Sequence, residues 1–336
     1  MHDWRYTARS QLRGKILGVW PSVHQRWLHE PLERQGVLKM TILKEIAESI
    51  EASTGVDGSF STSMERVFLL RSSEPTGPIY TVYEPSICFV AQGRKLVESG
   101  CYRLIYGAGA ALAVASPLPV TGQVIEASRN APFLGVRIEL DLDLLRGFHS
   151  LTPRKARRNH AASGLTTFRP SQRLENTIHR LLRLLDNPEE MKVLGPLAEL
   201  EILYHMATNS SPALGQLAVP DTATARTAWA AHYLRVHWRE AGALSTVSER
   251  LQMTERSLKT NFVALTGHEP AGYQKHLRLQ EARRLLSLGA PLLAAAASTG
   301  FANARTFQAE YEATFHASPA VDAARLRQLF PAELEE

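Results

Sequence analysis

Apolar positions recur along the chain in three rhythms. After Met40 they fall at Ile42, Leu43, Ile46 and Ile50, a helical stripe with Lys44, Glu45 and Glu48 on its outer side. From about residue 60 to 140 the rhythm shortens to brief runs: Val67–Leu70, Ile79–Val82, Ser86–Ala91, Lys95–Glu98, Tyr102–Ile105, Ala111–Ala115, Gln123–Glu126 and Phe133–Glu139. Turn residues separate them at Gly77-Pro78, Gln92-Gly93, Ser99-Gly100, Gly107–Gly109 and Asn130–Pro132. Strands this short and this closely spaced predict a small barrel or sandwich.

The period changes at Asp141, where a short helix is expected to Phe148. Residues 151–163 are polar and basic and read as a linker. Leu174, Ile178, Leu181, Leu182 and Leu185 form one helical stripe; Leu194, Leu197, Leu200, Leu203 and Tyr204 form another, either internal core or the face of a dimer helix. Residues 208–222 are rich in Ser, Ala, Gly and Pro and read as a second linker. Residues 223–328 are helical in pattern, and 329–336 form an acidic tail. The chain thus divides into an extension (1–39), a β-rich domain (40–150), a linker with a helical segment (151–207), the second linker (208–222) and an all-α domain (223–328).

Two segments of the last domain share a layout. In Leu244–Gly267 a short helix carries Val247 and Leu251, a turn follows at Gln252-Met253, and Thr254 is placed to cap the next helix. That second helix buries Leu258, Phe262 and Leu265 and turns Arg256, Ser257, Lys259, Thr260 and Asn261 outward. Leu292–Phe315 repeats the plan: a small-residue helix at Ala294–Ala297, a turn at Gly300-Phe301, a cap at Asn303 and a stripe of Phe307, Tyr311 and Phe315. Here Asn303, Arg305, Thr306 and Gln308 face outward. Two helices joined by a tight turn, the second polar near its start, make a helix-turn-helix. One helix of about four turns, Tyr273–Leu288, ties the two units.

Charge sharpens this reading. The 336 residues carry a net +5, with 44% apolar and 21% charged positions, a globular composition. Residues 226–327 hold thirteen Lys/Arg against eight Asp/Glu, and residues 1–39 seven against three, so the basic excess lies at the two ends of the chain. Arg and Lys can bond guanine, Asn and Gln adenine, and Thr hydroxyls phosphate. Arg278, Arg283 and Arg284 on the tie helix are better read as solvated or paired within the chain.

The strings VSERLQMTERSLKTNF, ALTGHEPAGYQKHLRLQEARRLL and GFANARTFQAEYEATFHASP together resemble the DNA-binding domain of AraC/XylS-family bacterial transcription regulators. YEPSICFVAQGRKLV, YGAGAALAVASPLPVTGQVIEAS and LGPLAELEILYHMAT resemble the subgroup with the AraC-type N-terminal regulatory domain. The resemblance implies an α+β chain: a cupin-like β-barrel with helices, then an all-α domain with two helix-turn-helix units. It implies promoter DNA, a small-molecule effector, a homodimer and RNA polymerase as partners; a cytoplasmic location is expected from the two cysteines, too few for a disulfide framework, and from an N-terminus without the apolar core of a secretory signal. It implicates Arg256, Ser257, Lys259, Thr260, Asn303, Arg305, Thr306 and Gln308 in DNA reading. Ala309 stands where the family commonly has Arg and His316 where it commonly has Gly, which points to a weaker grip by the second unit.

Tyr80, Tyr83, Glu84, Gln92 and Arg94 offer polar and aromatic groups for an effector; Gln92-Gly93-Arg94 also reads as a plain hairpin turn. Cys88 sits in an apolar strand and Cys101 in a turn, each either inert or a redox or electrophile sensor. No histidine occurs between residues 40 and 148, so a metal-dependent cupin enzyme is not expected, and neither is a metal or cofactor. Two cysteines cannot supply a four-cysteine zinc centre, and no transmembrane run is present. The rival reading is a ligand-binding or redox-sensing module with an impaired DNA-binding half. Met40 is an expected physiological start.

Overall fold

The computed structural model describes residues 32–151, 161–219, 221–240 and 243–329. Expectations for 1–31, for most of the 151–163 linker and for the acidic tail lie outside the described residues. Helix α1 (Leu32–Thr54) runs through Met40, and beyond Thr41 it buries Ile42, Ile46 and Ile50, the expected stripe.

The β half is two antiparallel sheets. The larger has the order β1 (Gly58–Ser61), β2 (Val67–Ser72), β9 (Phe133–Glu139), β4 (Ser86–Gln92), β7 (Ala110–Val114), β10 (Leu165–Phe168). The smaller has the order β3 (Ile79–Tyr83), β8 (Leu118–Glu126), β5 (Arg94–Ser99), β6 (Tyr102–Gly107). This is the cupin-like architecture expected, with the sheets facing one another rather than joined into a closed ring. Cys88, Val90, Leu112, Val114 and Leu165 from the larger sheet meet Tyr83, Val97, Tyr106, Leu118, Val120 and Val124 from the smaller in one core. Alternate residues of each strand supply it, as the two-residue period requires. The eight expected strands are present within a few residues of their limits; β1 and β10 are additional.

The other face of the larger sheet packs on helices. Helix α2 (Leu142–Leu151) follows β9. Helix α3 (Gln172–Leu184), capped by Ser171, buries Leu174, Ile178, Leu181 and Leu182, and α4 (Pro188–His205) buries Ala198, Ile202 and Leu203. All belong to the core that holds Ile46, Ile87, Phe89 and Val136. The segment 208–222 is not a free linker. A π-helical turn (Met206–Ser210) leads into α5 (Pro212–Leu217), with Ser211 as cap, and Ala213, Leu214, Leu217 and Ala218 are buried in this same core. Its small side chains permit close packing, which composition alone reads as looseness.

The remaining helices are α6 (Ala223–Val236), α7 (Ala243–Leu251), α8 (Glu255–Thr266), α9 (Pro270–Ser287), α10 (Leu292–Ser298), α11 (Ala304–Phe315) and α12 (Pro319–Leu329). Leu258 and Phe262 of α8 bury against Val247 of α7, Leu234 of α6 and Tyr273 of α9. Phe307, Tyr311 and Phe315 of α11 bury against Ala295 and Ala296 of α10, Leu279 and Leu286 of α9, and Ala323 of α12. No described helix is long and apolar enough to cross a membrane.

One buried ion pair locks the second unit. Arg283 Nε and Nη2 donate to Asp322 at 2.5 and 3.1 Å, and the Tyr311 hydroxyl donates to the same carboxylate at 2.9 Å. Burial works to raise the Asp322 pKa, but the hydrogen bonds and charge of Arg283 outweigh it and hold the carboxyl below its ordinary value of 3.8. The stabilisation is therefore complete above that value and is lost as pH falls through the lower folded-state value. Asp322→Ala strands a buried guanidinium, and urea unfolding of the second unit should show a loss of about 3–5 kcal/mol at neutral pH. The gap between variant and wild type should narrow below pH 3.8.

Candidate nucleic-acid interface

The two expected reading helices, α8 and α11, start alike. Thr254 has extended backbone angles and its hydroxyl accepts from Ser257 N at 3.2 Å; Asn303 Oδ1 accepts from Thr306 N at 2.8 Å. Both helices also end alike, on a residue in the left-handed region: Gly267 after α8 and His316 after α11. The turn before α8 holds Gln252 at φ 49°.

Arg256, Lys259 and Thr260 are exposed on α8 and Ser257 is half-buried. Asn303, Arg305, Thr306 and Gln308 are exposed at the start of α11. Each set thus shares one helix end. Among the described ion pairs, Arg256 and Arg305 appear in none, so both guanidinium groups are free for phosphate or guanine. Lys259 Nζ lies 2.9 Å from Glu269, but both are exposed, so the pair is weak. Thr260 Oγ1 donates to Arg256 O at 2.9 Å. Asn261 departs from expectation. It is buried, donates to Ser257 O at 2.9 Å, and accepts from Ala161 N at 2.9 Å, so it fixes the helix instead of reading DNA.

The units differ in charge. Between its limits α8 carries Arg256 and Lys259 against Glu255, whereas α11 carries Arg305 against Glu310 and Glu312. Glu310 is paired to Lys275 of α9 at 2.7 Å. Ala309 is exposed beside Gln308, so the side chain missing there faces solvent.

Both units are docked on the β half. The last carbonyls of α8 take donors from it: Ala264 O from the Tyr102 hydroxyl, Leu265 O from Gly164 N at 2.8 Å, Thr266 O from Ser99 Oγ at 3.3 Å, and Gly267 O from Cys101 N at 3.0 Å. The backbones touch. A Cβ on Gly100 would stand 2.0 Å from Gly267 O, and one on Gly164 2.3 Å from Leu265 O. His268 Nε2 lies 3.2 Å from Ser99 Oγ, and burial lowers its pKa. The Tyr273 hydroxyl donates to Pro117 O at 2.9 Å, and Gln280 Nε2 of α9 to Thr81 O at 2.9 Å.

The proposed effector residues separate across this architecture. Tyr80 points away from the β core: its ring meets Phe315 edge-on at 4.9 Å and lies 5.1 Å from the Arg283 guanidinium. Glu84 lies 3.6 Å from Arg235 of α6, and burial pushes its pKa up. Gln92 Nε2 donates to Pro132 O at 2.8 Å, and Arg94 is the exposed first residue of β5, 3.7 Å from Glu126. Only Tyr83 enters the space between the sheets. Strand alternation explains the division, because Tyr80 and Val82 face out where Tyr83 faces in. Cys88 is buried, and burial raises its thiol pKa; Cys101 is exposed. Among the described residues no group of three His, Cys, Asp or Glu could hold a metal.

A β half that carries a pair of helix-turn-helix units on its surface defines a two-part regulator. Family models agree: residues 63–213 match the AraC-type transcriptional regulator N-terminus and residues 247–325 a helix-turn-helix domain. The chain belongs to the AraC-type transcriptional regulators with an N-terminal regulatory domain, and it is a DNA-binding transcription regulator. Solved structures similar to it include ToxT from Vibrio cholerae O395, at 12% identity over 77% of this chain and 97% of that one, TM-score 0.47. A probable AraC family transcriptional regulator from Rhodopseudomonas palustris CGA009 is 26% identical over 30% of this chain and 97% of its own, TM-score 0.28. The DNA-binding domain of AdpA, in complex with a target DNA, is 24% identical over 32% and 97%, TM-score 0.29. No curated protein matches the chain.

The charge deficit of α11 gives a direct test. Ala309→Arg should strengthen promoter binding and steepen the log–log salt dependence by about one, as one more phosphate is neutralised. Fluorescence anisotropy at several salt concentrations measures both; an unchanged slope contradicts the assignment.

Proposed function

We propose that this regulator reads a promoter with both units, and that the first is the stronger. Arg256 and Lys259 supply charge and guanine contacts, Ser257 and Thr260 hydroxyls. Asn303, Arg305, Thr306 and Gln308 supply a lighter contact from α11. The free, exposed guanidinium groups at the starts of both helices are the observation that carries this reading. The protein works in the cytoplasm and has no catalytic role.

Regulation runs through the seam between the halves. A ligand in the β half that prefers one packing of β5, β6 and β3 biases the position of α8 and α9, because those strands hold both helices. Such a shift requires a difference in ligand affinity between two arrangements, and it is reciprocal with DNA affinity. Contact with RNA polymerase completes an activator, as the family resemblance implies.

The protein acts as a homodimer through α4. The expected stripe divides: Leu203 is buried, while Val193 (67% exposed), Leu194, Leu197 (59%), Leu200 and Tyr204 form an outward apolar face. Residues 193, 197, 200 and 204 keep one side of the helix at spacings of three and four, a seam that a second copy of the same helix can match.

DNase footprinting on the gene's upstream region tests DNA reading. A protected stretch of about 20 base pairs, two turns of the duplex, is expected, and Arg256→Ala should lose it. No protection on any genomic fragment contradicts the reading and favours the rival of an impaired DNA-binding half. Sedimentation of Leu197→Asp tests the dimer separately: the variant should be monomeric at concentrations where the wild type is dimeric, and a monomeric wild type rejects this interface.

A further inference from the structure

One arginine joins the two helix-turn-helix units. Helix α9 serves both: Tyr273 and Leu277 belong to the core of the first unit, Leu279, Ala282 and Leu286 to that of the second, and the two cores have no described residue in common. Arg278 stands at the changeover. Its Nε donates to Trp238 O at 3.0 Å, in the turn between α6 and α7. Its guanidinium lies against the turn between α10 and α11: a Cβ on Gly300 would stand 3.6 Å from Arg278 Cζ, 3.7 Å from Nη1 and 3.8 Å from Nε.

Each turn is anchored in its own unit. Trp238 packs on the core of the first and Phe301 on that of the second, where the Phe301 ring meets Phe307 edge-on at 5.2 Å. Gln274, one turn of α9 earlier, holds the same loop, with Nε2 donating at 3.0 Å to both Trp238 O and Glu240 O. Lys275 Nζ reaches Glu310 of α11 at 2.7 Å, but that pair is partly exposed and weak. Among the described ion pairs none includes Arg278, so its contribution is directional and not a matter of charge balance. A guanidinium is planar with its donors in a fixed fork, so the bond from Nε to Trp238 O sets the plane that meets Gly300. Turning either unit about α9 separates one end of the arginine from its contact.

We propose that Arg278 is a positioning residue: it fixes the phase between α8 and α11, and with it the spacing of the two half-sites that the protein accepts. Two reading helices reach successive turns of the groove together only when their separation matches the duplex repeat of about 34 Å. A looser joint leaves each helix able to bind its own half-site, but part of the second contact is then lost to aligning the units. The joint stands on the contacts above, whereas its effect on DNA rests on the reading that both units contact it.

Fluorescence anisotropy of the full chain tests it on the footprinted duplex of about 20 base pairs, on forms with either half scrambled, and on a form with one base pair inserted at the centre. Arg278→Met keeps the aliphatic stem and removes the fork. It should bind the intact duplex about tenfold more weakly, a coupling of ordinary strength, and the half-scrambled duplexes as wild type does. The inserted base pair should weaken wild type more than the variant. Arg278→Lys keeps the charge without the fork and should behave as Arg278→Met does; it carries the comparison should Arg278→Met fail to fold. Unchanged binding of the intact duplex in both variants overturns the proposal. So does an equal loss on intact and scrambled duplexes, or rescue by lysine with a salt slope lowered by about one in Arg278→Met, either of which marks a direct phosphate contact. A second arm needs no DNA. Spin labels at Glu255→Cys and Glu312→Cys, both exposed positions, in a Cys101→Ser background report the distance between α8 and α11. One narrow distribution is expected with Arg278 in place, and a broader or displaced one in both variants. The same distribution in all three shows that core packing on α9 suffices and overturns the proposal. If wild type binds no duplex, the reading that both units contact DNA fails, and the label distances alone decide the joint.

Discussion

The structure depends on how α8 ends. An α-helix leaves its last carbonyls without partners, and a buried helix end must find donors for them. Here the donors come from the other half of the protein: the Tyr102 and Ser99 hydroxyls and the amides of Gly164 and Cys101. The helix expected to enter DNA is therefore finished by the β half. This contact requires backbone to meet backbone, which glycine alone allows at Gly100 and Gly164, where a Cβ would overlap a carbonyl. Leu265 completes the join, for it is buried in the same core as the larger sheet and α3.

A second attachment runs along β3. This edge strand has only β8 as a partner, and an unpaired edge invites further hydrogen bonding. Helix α9 covers it with Gln280 on Thr81 O and Arg283 within 3.5 Å of Tyr80 O. Outward-facing Val82 joins the core of the first unit and Tyr80 that of the second. Arg283 has a part in all of this: it pairs with Asp322, contacts the Tyr80 carbonyl and lies beside the Tyr80 and Phe315 rings. One strand of the β half thus touches both DNA-reading units, so a change in that strand reaches both.

What the sequence made legible followed from local physics. Caps at Thr254 and Asn303, the stripes of α8 and α11, and the alternating strands depend on neighbours within a few residues, and each is present. The parts that stayed hidden depend on distant partners. β10 exists because it pairs with β7, fifty residues earlier in the chain, and Asn261 turned inward because Ala161 N needed an acceptor. Segment 208–222 looked open because Ala, Ser and Gly mark both linkers and close-packed helices. Tyr80 and Glu84 were polar and near the right strand, but the face each occupies is fixed by pleat and register, and both belong to the seam.

Amide hydrogen exchange at Cys101 and Gly164 tests the central claim most directly. Both amides lie in the β half, and both donate to the end of α8. If the join couples the halves, saturating promoter DNA must change their protection, by about fivefold or more for a coupling of ordinary strength. Protection at β4 and β9, away from the seam, should stay constant. Equal protection of Cys101 and Gly164 with and without DNA would show that α8 reads DNA without regard to the half that caps it.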